Sequence, residues 1–310
     1  MGNQTGAVIN LHPRLEALEK KFSASPLTQI LDQALSARRV ELWIKRDDLL
    51  HPIISGNKWR KLKYNLNHAL NNQADTLISM GGAYSNHLHA LAFAGQQLGL
   101  KTVAFVRGER PAQLNPTLID LQQWGMQLNF VSRSDYRQLR QYKNYHSLPD
   151  LVSGQYWLPE GGASDLALQG VAEIMSELKQ QFDLLMVACG TGATLAGLIT
   201  AAPVDMQILG VAALKGGDFL NADVKQLLPQ AITQQNWQIL LDYHFGGFAK
   251  YTPELKLFMH QFAAKHGVAL DPIYTGKLLF AFYDLLNQGY FKPGQRILLL
   301  HTGGLQGARD

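Results

Sequence analysis

The sequence predicts an α/β protein built from two open, mostly parallel twisted sheets covered by helices. Three observations carry that expectation. Short runs rich in Val, Ile and Leu alternate with longer amphipathic stretches, the pattern of strands buried on both faces and connected by crossover helices. Glycine-rich corners end several of the runs. Two polar breaks set off an internal block from the rest of the chain.

Strands are expected over Val40–Lys45, Asp75–Met80, Lys101–Val106, Gln127–Val131, Leu184–Cys189, Ile208–Ala212 and Ile297–His301. Helices are expected over Lys58–Leu70, Ser85–Leu98, Pro116–Trp124, Leu166–Phe182, Ala193–Ala201, Pro253–His266 and Lys277–Gln288. The breaks fall at His51–Asn57 and at Ser132–Gly154. Between them lie about three strand and helix units, enough for a small α/β domain over 60–159 inserted into a larger one made of 1–59 and 160–310. An active cleft is expected between the two.

Composition narrows the function classes. With 310 residues, 46% hydrophobic and 17% charged, the chain can bury a sizeable core and contains nothing that reads as disordered. Its net charge of +4 is small for this length and its basic residues are scattered, apart from Lys58, Arg60, Lys61 and Lys63. That argues against nucleic acid and suits a small anionic ligand. The single cysteine, Cys189, excludes an internal disulfide and a multi-cysteine metal site. No apolar run has the length of a membrane span, and Met1–Pro13 lacks the apolar block of a secretory signal, so a cytoplasmic protein is expected.

Two distant segments read as halves of one site. Ser55-Gly56-Asn57-Lys58 offers an amine in a Gly/Asn turn, and a partly desolvated lysine can attack a carbonyl. Cys189-Gly190-Thr191-Gly192-Ala193-Thr194 follows a buried-strand pattern and opens a helix, an order that aims backbone N–H groups and a positive helix end at one place. It is neither a Walker loop nor a full dinucleotide fingerprint. An imine-forming lysine and a phosphate loop together suggest pyridoxal phosphate.

Three further corners have the same form. Met80-Gly81-Gly82-Ala83-Tyr84-Ser85-Asn86-His87 places a hydroxyl and an amide at a helix start, suited to a carboxylate or a ring oxygen. Leu270-Asp271-Pro272-Ile273-Tyr274-Thr275-Gly276-Lys277 and Leu300-His301-Thr302-Gly303-Gly304 supply a phenol and hydroxyls. Each alone reads equally well as a cap or turn. His87 and His89 lack a third partner in sequence and are taken as a non-metal pair.

In these segments the chain resembles the pyridoxal-phosphate enzymes that include D-cysteine desulfhydrase and 1-aminocyclopropane-1-carboxylate deaminase, within the tryptophan synthase β-subunit fold type II. The likeness runs from Lys45-Arg46-Asp47-Asp48-Leu49 to Thr302-Gly303-Gly304. The motifs Gly56-Asn57-Lys58-x-Arg60-Lys61-Leu62, Ser85-Asn86-His87, Gly190-Thr191-Gly192-Ala193-Thr194 and Leu270-Asp271-Pro272-x-Tyr274-Thr275-Gly276-Lys277 occur in the family's order.

The resemblance implies that Lys58 carries the cofactor and that residues 190–194, with Cys189 before them, cup its phosphate. It implies that Asn86 binds the ring oxygen and that Ser85 and His87 line the substrate carboxylate pocket, with Ser85 and Tyr274 among the catalytic groups. Thr275 and Thr302 would stand near the pyridine nitrogen, and Phe248 would face the substrate. A small amino-acid substrate and a homodimer are further implications.

Two positions bear on the activity. In the cyclopropane deaminases the position matching Thr275 is glutamate and that matching Thr302 is usually aliphatic. Neutral hydroxyls make a weaker electron sink and favour β-elimination, the desulfhydrase outcome, giving pyruvate, ammonia and sulfide. Gly246-Gly247-Phe248-Ala249-Lys250 stands where the family commonly has Gly-Tyr-Gly, so a phenol is replaced by Phe248; either Tyr243 or Tyr251 substitutes from nearby, or leaving-group handling and substrate choice differ. Glu160 stands where an apolar residue is expected. The alternatives are a ring-opening deaminase or β-replacement enzyme, a catalytically silent cofactor-binding relative, and a nicotinamide oxidoreductase, which leaves Lys58 without a task.

Overall fold

The apolar runs pair into two sheets. In the computed structural model, which describes residues 10–309, the elements follow in the order α1 (Pro13–Glu19), β1 (Leu27–Ile30), α2 (Gln33–Arg38), β2 (Glu41–Lys45), α3 (Asn57–Asn71), β3 (Thr76–Gly81), α4 (Asn86–Leu98), β4 (Lys101–Arg107), α5 (Pro116–Gln123), β5 (Met126–Val131) and α6 (Arg133–Leu139). They continue as β6 (Gln155–Leu158), α7 (Asp165–Ser176), β7 (Leu184–Cys189), α8 (Ala193–Ala201), β8 (Gln207–Ala212), α9 (Phe219–Leu227), β9 (Trp237–Leu240), α10 (Pro253–His266), α11 (Thr275–Asn287) and β10 (Arg296–Leu300). Residues 1–9, with most of the segment read for a leader, lie outside the described residues.

The first sheet has the order β1-β2-β10-β7-β8-β9 and is parallel except for the β1–β2 pair. The second has the order β5-β4-β3-β6, all parallel, with every strand drawn from 76–158. Strands β3 and β7 are buried along their whole length, which is why they read as unbroken apolar runs. Helix α1 packs Leu15 and Leu18 into the same core as Leu62, Leu66 and Leu88, so the N-terminal helix serves the four-stranded side.

Strand order fixes where a ligand can sit. The chain leaves β7 toward β8 and β9 and returns as β10 on the other side of β7, so the β7/β10 boundary is a switch point. In the second sheet β3 has β4 on one side and β6 on the other, a second switch point. Crevices form beyond the carboxyl ends of strands at such points. The carboxyl ends concerned lead into Gly190–Thr194, Thr302, Gly81–Ser85 and Glu160–Gly162.

Several elements went unread in the sequence. Strands β1, β6 and β9 are four residues each at sheet edges, with half-buried rather than continuous apolar patterns in β1 and β9. Helix α6 lies inside the polar stretch taken as a break, because a seven-residue helix burying only Tyr136 carries little apolar periodicity. Helix α7 ends at Ser176, short of the expected Phe182. Among the described residues no helix is long and apolar enough to cross a membrane.

Candidate active site

A cavity of about 700 Å³ opens where the corners from both switch points meet. The turn into α3 is set by Gly56, whose φ of +63° and contact with the Thr302 carbonyl, 1.9 Å from where a Cβ would stand, admit only glycine. The Gly56 N–H donates to the Asp47 carbonyl at 2.8 Å. Asp47 is fully buried and accepts two hydrogen bonds from Arg60, at 3.1 and 3.0 Å; Glu177 takes the other face of that guanidinium and pairs with Lys45. This buried ion network locks the first turn of α3, so the Lys45–Leu49 and Arg60 parts of the motif orient the lysine rather than line the cavity.

Lys58, the second residue of α3, lines the cavity and donates from Nζ to Asn57 Oδ1 at 2.6 Å. Asn57 Nδ2 in turn donates to Thr194 Oγ1 at 2.8 Å, tying the amine to the loop after β7. Burial pushes the Lys58 ammonium down to about 8, with the Asp271 carboxylate opposing. One turn on, the buried Lys61 also lines the cavity, and its pKa lies well below the ordinary value through desolvation and repulsion from Lys58, with Glu160 opposing. Two amines that disfavour each other's charge in one pocket are matched to an incoming anion.

The loop after β7 supplies the seat for that anion. Gly190, Thr191, Gly192 and Thr194 line the cavity, and Gly192, at φ +72°, starts α8 without any side-chain cap. By contrast Ser85, Asn115, Ser132, Ser164 and Thr252 cap α4, α5, α6, α7 and α10 with their own oxygens. The first N–H groups of α8 are thus left for a ligand at the positive end of the helix. A Cβ on Gly161 would lie 3.0 Å from Thr191 and 3.5 Å from Lys61 Nζ, which places that amine beside the loop. Ala193 is buried and outside the lining. Cys189 lines the cavity from the end of β7, but burial pushes its thiol up to about 12, so it is a poor nucleophile.

The opposite wall comes from the corner after β3. Ser85 accepts from Leu88 N at 3.2 Å as the cap of α4 and still lines the cavity. Asn86 Oδ1 accepts from Gln306 Nε2 at 2.8 Å, which leaves its amide N–H groups as donors. His87 is buried and kept neutral by desolvation and by Lys61 and Lys58. Ser79 donates to the Leu158 carbonyl and lies 2.9 Å from His87 Nε2, so that nitrogen carries the ring proton and Nδ1 is a buried acceptor with no partner among the described residues. His89 instead meets Asp120 at 2.9 Å. No group of three or more His, Cys, Asp or Glu is placed to hold a metal among the described residues.

Tyr274 stands at the start of α11 with its phenol near the phosphate-type loop: a Cβ on Gly190 would lie 3.1 Å from the phenol oxygen. Burial, then Asp271 and Glu160, raises its pKa, so it remains protonated. Phe248 lines the mouth with its ring 6.2 Å from that of Tyr274. Lys277 Nζ donates to the carbonyls of Ala213, His244 and Gly247, which clamps the Phe248 loop to α11. Thr302 lines the cavity and its hydroxyl makes no hydrogen bond within the described residues.

Three expectations are corrected. Thr275 does not reach the cavity: it is fully buried, its hydroxyl donates to Asp271 Oδ1 at 2.7 Å and accepts from Asp271 N at 2.8 Å, so its one proton is spent. Tyr243 does not replace the missing phenol, because it donates to Asp284 at 2.7 Å outside the cavity. Tyr251 is exposed and also outside the lining. Sequence reasoning assigned no role to Lys61, or to Arg107, Arg133, Arg140 and Lys215, which line the same cavity from separate elements. Only the 58/61 spacing, one helical turn, hinted at the first.

Comparison with known proteins identifies the family. The family model for pyridoxal-phosphate dependent enzymes matches residues 23–303. A Pyrococcus horikoshii protein provisionally named a 1-aminocyclopropane-1-carboxylate deaminase is 32% identical over 96% of both chains. The Arabidopsis thaliana bifunctional D-cysteine desulfhydrase/1-aminocyclopropane-1-carboxylate deaminase, described as mitochondrial, is 31% identical over 87% of this chain and 74% of its own. Among solved structures, an ACC deaminase homologue superposes with a TM-score of 0.77 at 28% identity, covering 96% of this chain and 97% of the other.

Proposed function

Because the chain belongs to the pyridoxal-phosphate-dependent enzymes, in the family of 1-aminocyclopropane-1-carboxylate deaminase and D-cysteine desulfhydrase, we propose that it is a lyase that eliminates the β-substituent of a small amino acid, as D-cysteine desulfhydrase does. The observation that carries this reading is the convergence of the Lys58 amine and the uncapped start of α8 on one cavity, joined through Asn57 and Thr194. As the domain division we take the 60–159 unit, with α1 packed against it, and the remainder of the chain; residues of both line the cavity.

The residues present fit the cofactor. The N–H groups of 190–194 and the Lys61 ammonium would hold its phosphate, Lys58 would hold its aldehyde carbon, and the Asn86 amide would donate to its ring oxygen. Bound there, the cofactor supplies an electron sink for the charge that develops at the substrate Cα. Ser85 and the start of α4 would orient the substrate carboxylate. The neutral His87, whose free Nδ1 can only accept, cannot bond a carboxylate and would instead accept from a substrate N–H or shape the wall beside it.

Lys58 Nζ would take the α-proton, a task for which an amine near pKa 8 is suited. Tyr274, kept protonated, would donate to the departing group. Elimination rather than a deeper carbanion is favoured by Thr302, a neutral hydroxyl on the cavity wall. The carboxylate that lines the cavity, Glu160, is engaged by Tyr136 and by Arg140 at 2.7 Å.

A second reading, cyclopropane-ring opening, is supported by the names of the relatives and by the withdrawal of Thr275 from the cavity. Assay of the holoenzyme with D-cysteine, L-cysteine, D-serine and 1-aminocyclopropane-1-carboxylate separates the two. Pyruvate from D-cysteine is expected. Turnover of the cyclopropane acid alone, giving 2-oxobutyrate, would replace the first reading with the second.

A further inference from the structure

The mouth of the cavity carries more positive charge than a neutral amino acid can answer. Its lining holds Lys58, Lys61, Arg107, Arg133, Arg140 and Lys215 against a single carboxylate, Glu160. Arg140 is answered by Glu160 at 2.7 Å. The two deep lysines face the seat assigned above to the cofactor. Arg107, Arg133 and Lys215 remain, and none pairs with a carboxylate among the described residues.

These three come from different elements and line the one cavity. Arg107 ends β4, and its guanidinium lies 3.9 Å from where a Cβ on Gly82 would stand, beside the corner that leads to Ser85. It also covers the Tyr136 ring at 5.5 Å, which holds the side chain in place. Arg133 begins α6, and Lys215 lies against Gly247, next to Phe248. A substrate with an uncharged side chain brings only its α-carboxylate, which leaves at least two of the cations unmatched.

We propose that the preferred substrate bears a second acidic group, on Cβ, which Arg107, Arg133 and Lys215 receive at the cavity mouth. This rests on the elimination reading and names its substrate class: an amino acid whose β-substituent is a phosphate, sulfate or similar oxyanion. The reaction balances without a further reactant other than water. The Cα–H bond breaks, its electron pair forms the Cα=Cβ bond, and the Cβ–O bond breaks with its pair leaving on the oxyanion. The released aminoacrylate takes up water to give pyruvate and ammonia. A cation cluster at the mouth stabilises the oxyanion as its charge grows.

The holoenzyme is assayed for pyruvate from both enantiomers of serine O-phosphate and serine O-sulfate, against 3-chloroalanine and D-cysteine. At low salt kcat/KM is expected to favour an oxyanion substrate over 3-chloroalanine, with the advantage shrinking above about 0.5 M salt, where the screening length falls to about 4 Å. Arg107→Gln and Lys215→Gln are each expected to lower kcat/KM for the oxyanion substrate roughly three- to tenfold, with 3-chloroalanine changed by less than about twofold. Equal use of charged and uncharged substrates, or an advantage that survives both substitutions, overturns the inference and leaves the lyase reading standing. Should no substrate release pyruvate, the lyase reading falls, and calorimetric binding of unreactive aspartate and alanine decides the inference separately. Tighter binding of aspartate that Arg107→Gln abolishes supports the anion site; equal binding removes it.

Discussion

The two corners that face each other across the cavity have opposite local chemistry. After β7 the chain turns through Gly190-Thr191-Gly192 into α8 with no side-chain cap. After β3 it turns through Gly81-Gly82 into α4, and Ser85 caps that helix by accepting from Leu88 N. Uncapped N–H groups cost stability until something fills them, whereas a capped start is self-sufficient. Other helices, α3, α9 and α11, also start without a side-chain cap, so it is the cavity beside α8 that makes the contrast useful: on the proposed reading the first corner suits a resident anion and the second a ligand that arrives and leaves.

The largest expected effect sharpens the first half of that contrast. Lys58→Ala is expected to lower kcat by about a thousandfold or more, since it removes both the covalent anchor and the base. Assay of the purified variant reconstituted with cofactor measures it. Asp47→Ala is expected to cost roughly 3–5 kcal/mol in urea unfolding, because Arg60 would lose a buried partner. It would also loosen Lys58 through Arg60, two residues on in the first turn of α3.

The pH dependence has a definite sign. Burial moves the Lys58 ammonium from an ordinary 10.5 to about 8, and only the neutral amine reacts with an aldehyde. Uptake of pyridoxal phosphate by the apoprotein, followed by absorbance, should rise about tenfold per pH unit below 8 and level off above it. An exposed lysine would go on rising toward 10.5. For stability, Lys58 makes the apoprotein weakest below pH 8, where the buried charge is fully carried. That cost is relieved as the pH rises from 8 to 10.5, since the unfolded chain there binds more protons.

Smaller effects break the corners apart. Gly192→Ala puts a Cβ at φ +72° and against Val224, at a cost of about 1–2 kcal/mol, and should weaken cofactor affinity in a dialysis titration. Ser85→Ala should cost about 1 kcal/mol of stability, the worth of a cap, and raise KM while the cofactor stays bound. Equal cofactor loss in the two variants would erase the distinction between the corners.

Much of this arrangement was legible in the chain. Strand β7, its glycine loop and α8 lie contiguous in sequence, and their boundaries follow from an apolar run, two glycines and a helix-forming stretch. Lys58, Ser85, Asn86 and Thr302 sit at corners whose form is local, and the structure brings them to one cavity. What local pattern could not give was which corners share capacity with distant groups. Thr275 looked free until Asp271, four residues earlier, claimed both its hydrogen bonds. Arg107, Arg133 and Lys215 are ordinary exposed residues in sequence, and only the strand orders of two sheets bring them to one mouth. Edge strands β1 and β9 were missed because half-buried four-residue segments carry too little periodicity to stand out.

The account turns on which amine meets the cofactor, and two lysines with lowered pKa line the cavity, Lys58 and Lys61, while Lys277 is held by three carbonyls outside it. Borohydride reduction of the holoenzyme followed by peptide mapping identifies the bonded residue directly. The account predicts a single pyridoxyl group on Lys58, and a label on Lys61 or Lys277 with Lys58 unmodified would contradict it.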